Sequence, residues 1–211
     1  MAGLTLKEKA YERLRNLILN GSIPPGENLT ERHLVELLEM SRTPIRAALE
    51  RLEAEGWVTY SPNKGLSVKE LSLQRVIDFF DYRMALEGYV ISKLASRTFS
   101  DEEKSWFENN LAEQAKYMET NDFQEFTRRD SDFHRKLIEI YGNYEIKQTF
   151  ENLQDKLFQI ALNVLRKDNK RIQRSYEDHK NIYELIKQGN AEDAYKLAIQ
   201  HLEFGKQILI L

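Results

Sequence analysis

The segment IPPGENLTERHLVELLEMSRTPIRAALERLEAEGWV, residues 23–58, decides the fold of the first third of the chain. Thr30 stands where it can cap a helix, Leu29 and Leu34 have the spacing of a hydrophobic staple, and Leu34, Leu37 and Leu38 face inward. Met40 to Arg42 form a tight connection. Thr43 then offers an N-cap and Pro44 a residue pre-set for the first helical position, ahead of the inward stripe Ile45, Leu49 and Leu52. This helix ends by Gly56. Upstream, Thr5 and Glu8 have capping-box spacing, and Ala10, Leu14, Leu17 and Ile18 line a helix that ends at Gly21. Downstream, the β-prone runs WVTY and LSV flank SPNKG and read as a hairpin. Three helices and a hairpin make a winged helix-turn-helix.

The rest of the 211 residues reads differently. All four prolines, Pro24, Pro25, Pro44 and Pro62, fall in the first 62 positions, and the later positions are rich in helix formers. Six helices are expected, at about 73–97, 101–119, 122–141, 144–167, 171–188 and 191–209; Ser100 with Glu103, Gly142 with Asn143, and Gly189 with Asn190 mark several of their ends. The expected fold is mainly α: a winged helix-turn-helix with a small β-hairpin wing over residues 1–70, then an all-α antiparallel helical bundle over 71–211.

The chain carries 31 Lys and Arg against 34 Asp and Glu, a formal charge of −3, and 41% hydrophobic residues, the balance of a soluble globular protein. No apolar run reaches the roughly 18–20 residues of a bilayer crossing, and MAGLTLKEKAYERLRN lacks the apolar core of a signal peptide. Without cysteine there is no disulfide, no thiolate metal site and no Cys nucleophile, so a cytoplasmic location is expected.

Arg42 just before the third helix and Arg46 in its first turn oppose the positive end of the helix dipole. That placement makes sense if an external polyanion supplies the negative charge, since the start of a recognition helix is where side chains reach base edges in the major groove. The plain alternative, pairing with Glu39 and Glu50 on a solvated face, loses weight beside a helix-turn-helix and a wing. Residues 1–70 hold ten basic and ten acidic side chains, so general attraction to phosphates is modest. Affinity for double-stranded DNA then calls for two copies bound together, a homodimer on a palindromic operator.

In the bundle, Asp130 and His134 lie one turn apart within the stripe Phe123, Phe126, Phe133, Leu137 and Tyr141. His179 shares a stripe with Ile172, Tyr176, Tyr183 and Ile186, and His201 shares one with Ala194, Leu197, Ala198, Leu202 and Gly205. A lone inward His or Asp is usually a satisfied core residue. Four such groups in one small bundle are more readily satisfied by a shared divalent transition metal, Zn, Ni, Mn or Fe, with coordination positions left open. Arg83, on the inward face with Val76, Phe79, Leu86 and Val90, either grips the carboxylate of a small organic acid effector or bridges to Glu87.

The quoted segment resembles the winged-helix domain of the GntR family of bacterial transcription regulators over residues 6–68. That resemblance implies DNA contacts from Arg32, Ser41, Arg42, Thr43, Arg46, Lys64 and Gly65. Where the family places a glycine before the recognition helix, this chain has Glu39, at a cost of about 1 kcal/mol if the residue is left-handed. YRMALE, DSDFH, GN, DHKNIYELIKQGNAEDA and QHLEF are similar to the FCD effector domain of FadR-type GntR regulators over about 73–205. In the metal-binding members this implies that Asp130, His134, His179 and His201 hold a divalent cation beside a carboxylate pocket contacted by Arg83. It also implies that the domain forms the dimer interface, and the full ligand set argues against an acyl-CoA effector.

The combined expectation is a ligand-responsive DNA-binding regulator, not an enzyme. Two alternatives remain at this point: a metal-dependent hydrolase with an accessory winged helix, disfavoured by the lack of HExxH or a nucleophile elbow, and a constitutive DNA binder with structural histidines.

Overall fold

The computed structural model describes residues 4–61, 65–168 and 170–210. The chain divides into two compact units, Met1–Leu71 and Ser72–Leu211.

In the first unit, α1 (Leu6–Leu19) begins in a complete capping box, with Thr5 N–H donating to Glu8 Oε2 at 2.7 Å and Glu8 N–H to Thr5 Oγ1 at 3.3 Å. It buries Ala10, Leu14 and Ile18 and packs mainly on α3 (Arg42–Ala54). Between them α2 (Glu31–Leu38), capped by Thr30, buries Leu34 and Leu38. Leu37 does not turn inward as expected; it is 41% exposed, because so short a helix covers only the Leu34/Leu38 edge. The turn into α3 puts Glu39 in the left-handed region at φ 54°, where an L-residue other than Gly or Asn is strained.

The start of α3 differs from the sequence reading. Ser41, with extended backbone, is the N-cap, and Thr43 and Pro44 lie inside the first turn. Proline is tolerated there because the first four helical N–H groups have no intrahelical acceptor. Strands β1 (Val58–Ser61) and β2 (Gly65–Val68) pair antiparallel from Val58↔Val68 to Ser61↔Gly65. The segment before α2 adds an edge to this ribbon through an Asn28↔Ser67 bridge and a Leu29 N–H to Leu66 carbonyl bond of 2.7 Å.

The second unit contains, among the described residues, α4 (Leu73–Leu94), α5 (Asp101–Glu119), α6 (Phe123–Tyr141), α7 (Tyr144–Glu151), α8 (Gln154–Lys167), α9 (Arg171–Lys187) and α10 (Ala191–Ile210). The single helix expected over 144–167 is thus two, broken at Asn152 and Leu153. No proline or glycine marks the break. Instead α7 packs chiefly on α6 while α8 packs on α6, α9 and α10, and Asn152 is a weak helix former at the junction.

The longest contact runs between α4 and α10. Gly88 permits it, since a Cβ there would sit 2.8 Å from the Tyr195 ring and 3.0 Å from Ile199. Phe107 of α5 fills the core, stacked on Tyr183 at 4.9 Å and on Phe99 at 5.6 Å. No helix among the described residues is long and apolar enough to cross a membrane.

Candidate metal centre and nucleic-acid interface

Helical period carries Asp130 and His134 to the same face of α6, and the packing of α9 and α10 brings His179 and His201 against it. All four side chains are buried, and one ligand atom from each lies within 4.8 Å of all the others. His179 Nε2 is 3.2 Å from His134 Nε2, 3.3 Å from His201 Nε2 and 3.5 Å from Asp130 Oδ1. Tetrahedral Zn–N bonds of about 2.0–2.1 Å put their nitrogens about 3.3–3.4 Å apart, so these spacings fit a first-row divalent cation. Imidazole and carboxylate donors suit such an ion chemically.

The far side of each ring is also supplied. His134 Nδ1 meets Glu87 Oε2 of α4 at 2.5 Å, His179 Nδ1 meets Gln114 Oε1 of α5 at 2.8 Å, and His201 Nδ1 meets Asp178 Oδ2 of α9 at 3.1 Å. At His134 and His179 an acceptor at Nδ1 holds the proton there and leaves the Nε2 lone pair free for a cation, whereas His201 Nδ1 faces the donor Arg171 Nη2 at 2.9 Å as well as Asp178. Gln114 is itself held by Asn110, whose Oδ1 accepts from Gln114 Nε2 at 2.7 Å. Phe133 stacks on the His179 ring at 4.5 Å, and Ser175 Oγ donates to Asp130 Oδ1 at 3.3 Å.

Burial, followed by the charges of His134, Arg171 and Arg83, holds the His179 imidazole well below the usual histidine range. His201 is depressed in the same direction, by burial and then by Arg171 and its histidine neighbours. Both are therefore neutral near pH 7, the form in which imidazole ligates a metal. Burial would raise the Glu87 carboxyl, but the adjacent Arg83 and His134 hold it down to about 2.

Arg83 lies beside this group as its sequence position suggested, and its guanidinium is engaged with Glu87: Nε donates to Oε1 at 2.6 Å and Nη2 approaches Oε2 at 3.5 Å. A cavity of about 30 Å³ opens against the cluster, lined by Arg83, Asp130, Ser175 and His201 and by a second buried cation, Arg171. That volume holds roughly two water-sized groups. Sequence reading missed Arg171, Asp178 and Gln114. The signal was present: Arg171, Ser175 and Asp178 share the His179 face of α9, and Asn110 and Gln114 fall on the Phe107/Leu111 stripe of α5.

In the first unit, Ser41, Arg42 and Thr43 are exposed at the start of α3, and Arg46 follows one turn along. Arg46 pairs neither with Glu39 nor with Glu50 in a salt bridge; its Nε donates to Glu31 Oε1 of α2 at 2.5 Å. Arg32 is open to solvent near Glu36 at 3.4 Å, and Gly65 begins β2 at φ 73°. Lys64 lies outside the described residues.

The FCD domain matches residues 78–204, and the bacterial regulatory proteins of the gntR family match residues 6–68. The chain is 27% identical to the HTH-type transcriptional regulator YdhC of Bacillus subtilis, over 90% of this chain and 85% of that protein. It is 28% identical to the Nta operon transcriptional regulator of Aminobacter aminovorans, over 85% and 82%. Among solved structures, a GntR transcriptional regulator from Rhodococcus sp. RHA1 shares the fold at a TM-score of 0.76 and 21% identity, covering 96% of this chain and 97% of that one. E. coli McbR/YncC does so at 0.75 and 19%, covering 98% of each. The hydrolase alternative falls with these matches, since the relatives are transcriptional regulators. The chain belongs to the gntR family of bacterial regulatory proteins, a DNA-binding transcriptional regulator with an FCD domain behind its winged helix.

Proposed function

We propose that this regulator senses a small organic acid at a metal centre and answers by changing how a homodimer holds a palindromic operator. The reading rests on one observation: three imidazole Nε2 atoms and the Asp130 carboxylate converge in a buried pocket, with an Nδ1 partner behind every ring. Three Nε2 atoms crowded against one another leave lone pairs without donors, and a divalent transition metal satisfies them together. Asp130, His134, His179 and His201 would hold Zn, Ni, Mn or Fe, which when bound supplies a Lewis-acidic seat for a carboxylate. Arg83 keeps Glu87 behind His134 and adds positive charge to the cavity where the acid sits.

Residues 1–70 read DNA and residues 71–211 bind the effector and dimerise. Arg42 and Arg46 contact base edges in the major groove, Arg32, Ser41 and Thr43 the backbone nearby, and the wing with Lys64 and Gly65 the adjacent groove. An effector shifts the balance of two arrangements only by binding one of them better, so operator DNA changes its affinity by the same factor.

Elemental analysis of gently purified protein beside His134→Ala tests the central claim. Near-stoichiometric transition metal that is lost in the variant is the expected result. If neither protein holds metal after adding Zn, Ni or Mn, the reading is wrong and the cluster is a hydrogen-bonded core.

A further inference from the structure

His201 Nδ1 faces two partners that make opposite demands. Asp178 Oδ2 at 3.1 Å can only accept from it, whereas Arg171 Nη2 at 2.9 Å can only donate to it. A neutral imidazole has one ring proton, so only one of these contacts is a hydrogen bond at a time. With the proton on Nε2, Arg171 donates to Nδ1. With a cation on Nε2, the proton is confined to Nδ1, Asp178 accepts it, and the N–H of Arg171 that had pointed at Nδ1 meets another N–H instead.

Arg171 is well placed to redirect that donor. Its side chain is buried, Nη2 also donates to the His201 carbonyl oxygen at 2.9 Å, Nη1 donates to Asp178 Oδ2 at 3.2 Å, and the residue lines the cavity with Asp130 and Ser175. Arg83, the other arginine on that cavity, has its Nε and Nη2 turned to Glu87. The charge balance points the same way. Asp130, Glu87 and Asp178 against Arg83 and Arg171 leave a formal −1, and a divalent cation turns it to +1, which a single carboxylate neutralises.

We infer that Arg171 is the anion anchor of the cavity and that metal binding arms it, by fixing the His201 proton on Nδ1 and freeing a guanidinium N–H for a carboxylate. The cation and the anion therefore bind in order, and the metal-free protein has no carboxylate site. The inference rests on the metal reading above and adds to it a residue and a sequence of events.

The test uses full-length protein stripped with chelator, Zn²⁺ alone, and acetate as the probe. Isothermal titration of the wild type should show Zn²⁺ uptake, acetate binding after Zn²⁺, and none before it. Arg171→Gln should still take up Zn²⁺ but bind acetate roughly tenfold or more weakly, the loss of a charged hydrogen bond. Ring-nitrogen NMR of the wild type reads the switch without a variant: His201 Nδ1 should pass from unprotonated to protonated as Zn²⁺ is added. Equal acetate affinity in Arg171→Gln, acetate binding to stripped protein, or a His201 Nδ1 already protonated before Zn²⁺ overturns the inference while leaving the metal site standing. Failure of the wild type to bind Zn²⁺ overturns both.

Discussion

Replacing Gln114 with Leu separates a metal site from a hydrogen-bonded core. Gln114 is fully buried, its Oε1 sits 2.8 Å from His179 Nδ1, and the substitution keeps the side chain's approximate size while removing that acceptor. Without metal, the His179 proton can move to Nε2, where His134 Nε2 offers an acceptor at 3.2 Å, so the stripped variant relaxes part of the damage. With metal on Nε2 that escape is closed and a buried N–H stays unpaired, at a cost of about 1–3 kcal/mol. The whole difference falls on metal affinity, a loss of about 10–100-fold, in line with the effect of removing partners behind metal-ligating histidines. Zn²⁺ competition against a chelator of known affinity measures it, with circular dichroism confirming the helical fold. Gln114→Glu keeps an acceptor and should hold Zn²⁺ at least as well as the wild type. Equal Zn²⁺ affinity in the Leu variant and the wild type would refute the reasoning, because Gln114 would then have no hand in orienting a ligand.

Arg46→Ala should weaken binding to the specific operator by about 1–3 kcal/mol and to random DNA much less, a contrast that fluorescence anisotropy on both duplexes reads directly. Equal losses on the two would assign Arg46 to the phosphates. Glu39→Gly should stabilise the protein by about 0.5–1 kcal/mol by relieving the φ of 54° before the recognition helix, less the extra chain entropy glycine loses on folding, and thermal denaturation checks the sign. His179 and His201 titrate below their unfolded value of about 6.5, so below that pH the unfolded chain binds more protons than the folded one. The metal-free protein should therefore melt at lower temperature at pH 5.5 than at pH 7.5, and a flat profile in chelator would contradict buried, neutral imidazoles.

The helical period made most of this fold legible. Capping boxes at Thr5/Glu8 and Ser100/Glu103 announced helix starts that the structure keeps, because caps depend on a few neighbouring residues. The misreadings all depend on what packs from elsewhere. Leu37 belongs to the apolar pattern of α2 but stays 41% exposed among the described residues. The break at Asn152 has no Pro or Gly to signal it and comes from α7 and α8 serving different neighbours. Thr43 and Pro44 look like a helix start, yet the cap lies two residues back because Pro44 fits anywhere in a turn whose N–H groups lack acceptors.

The site divides along the same line. Asp130, His134, His179 and His201 could be placed facing inward one helix at a time, since each shares a stripe with buried apolar neighbours. Their meeting at a common centre depends on the rotation of α6, α9 and α10 about their axes, which no single stripe specifies. The residues behind them were harder still. Arg171 comes after the charged run RKDNK and looks like a solvated helix start, and Gln114 looks like one polar residue among many on α5; only the neighbouring helices turn them into partners of His201 and His179. Glu87 was legible solely as a possible mate for Arg83, although its second oxygen reaches His134. These supporting groups are where the bundle commits most of its buried polarity. A core that needed only to fold would be as stable with apolar residues in their place. Three Nδ1 partners, each supplied by a different helix to a different ring, are therefore better explained by the orientation of the Nε2 atoms than by stability, and orientation matters only if something is to be bound there.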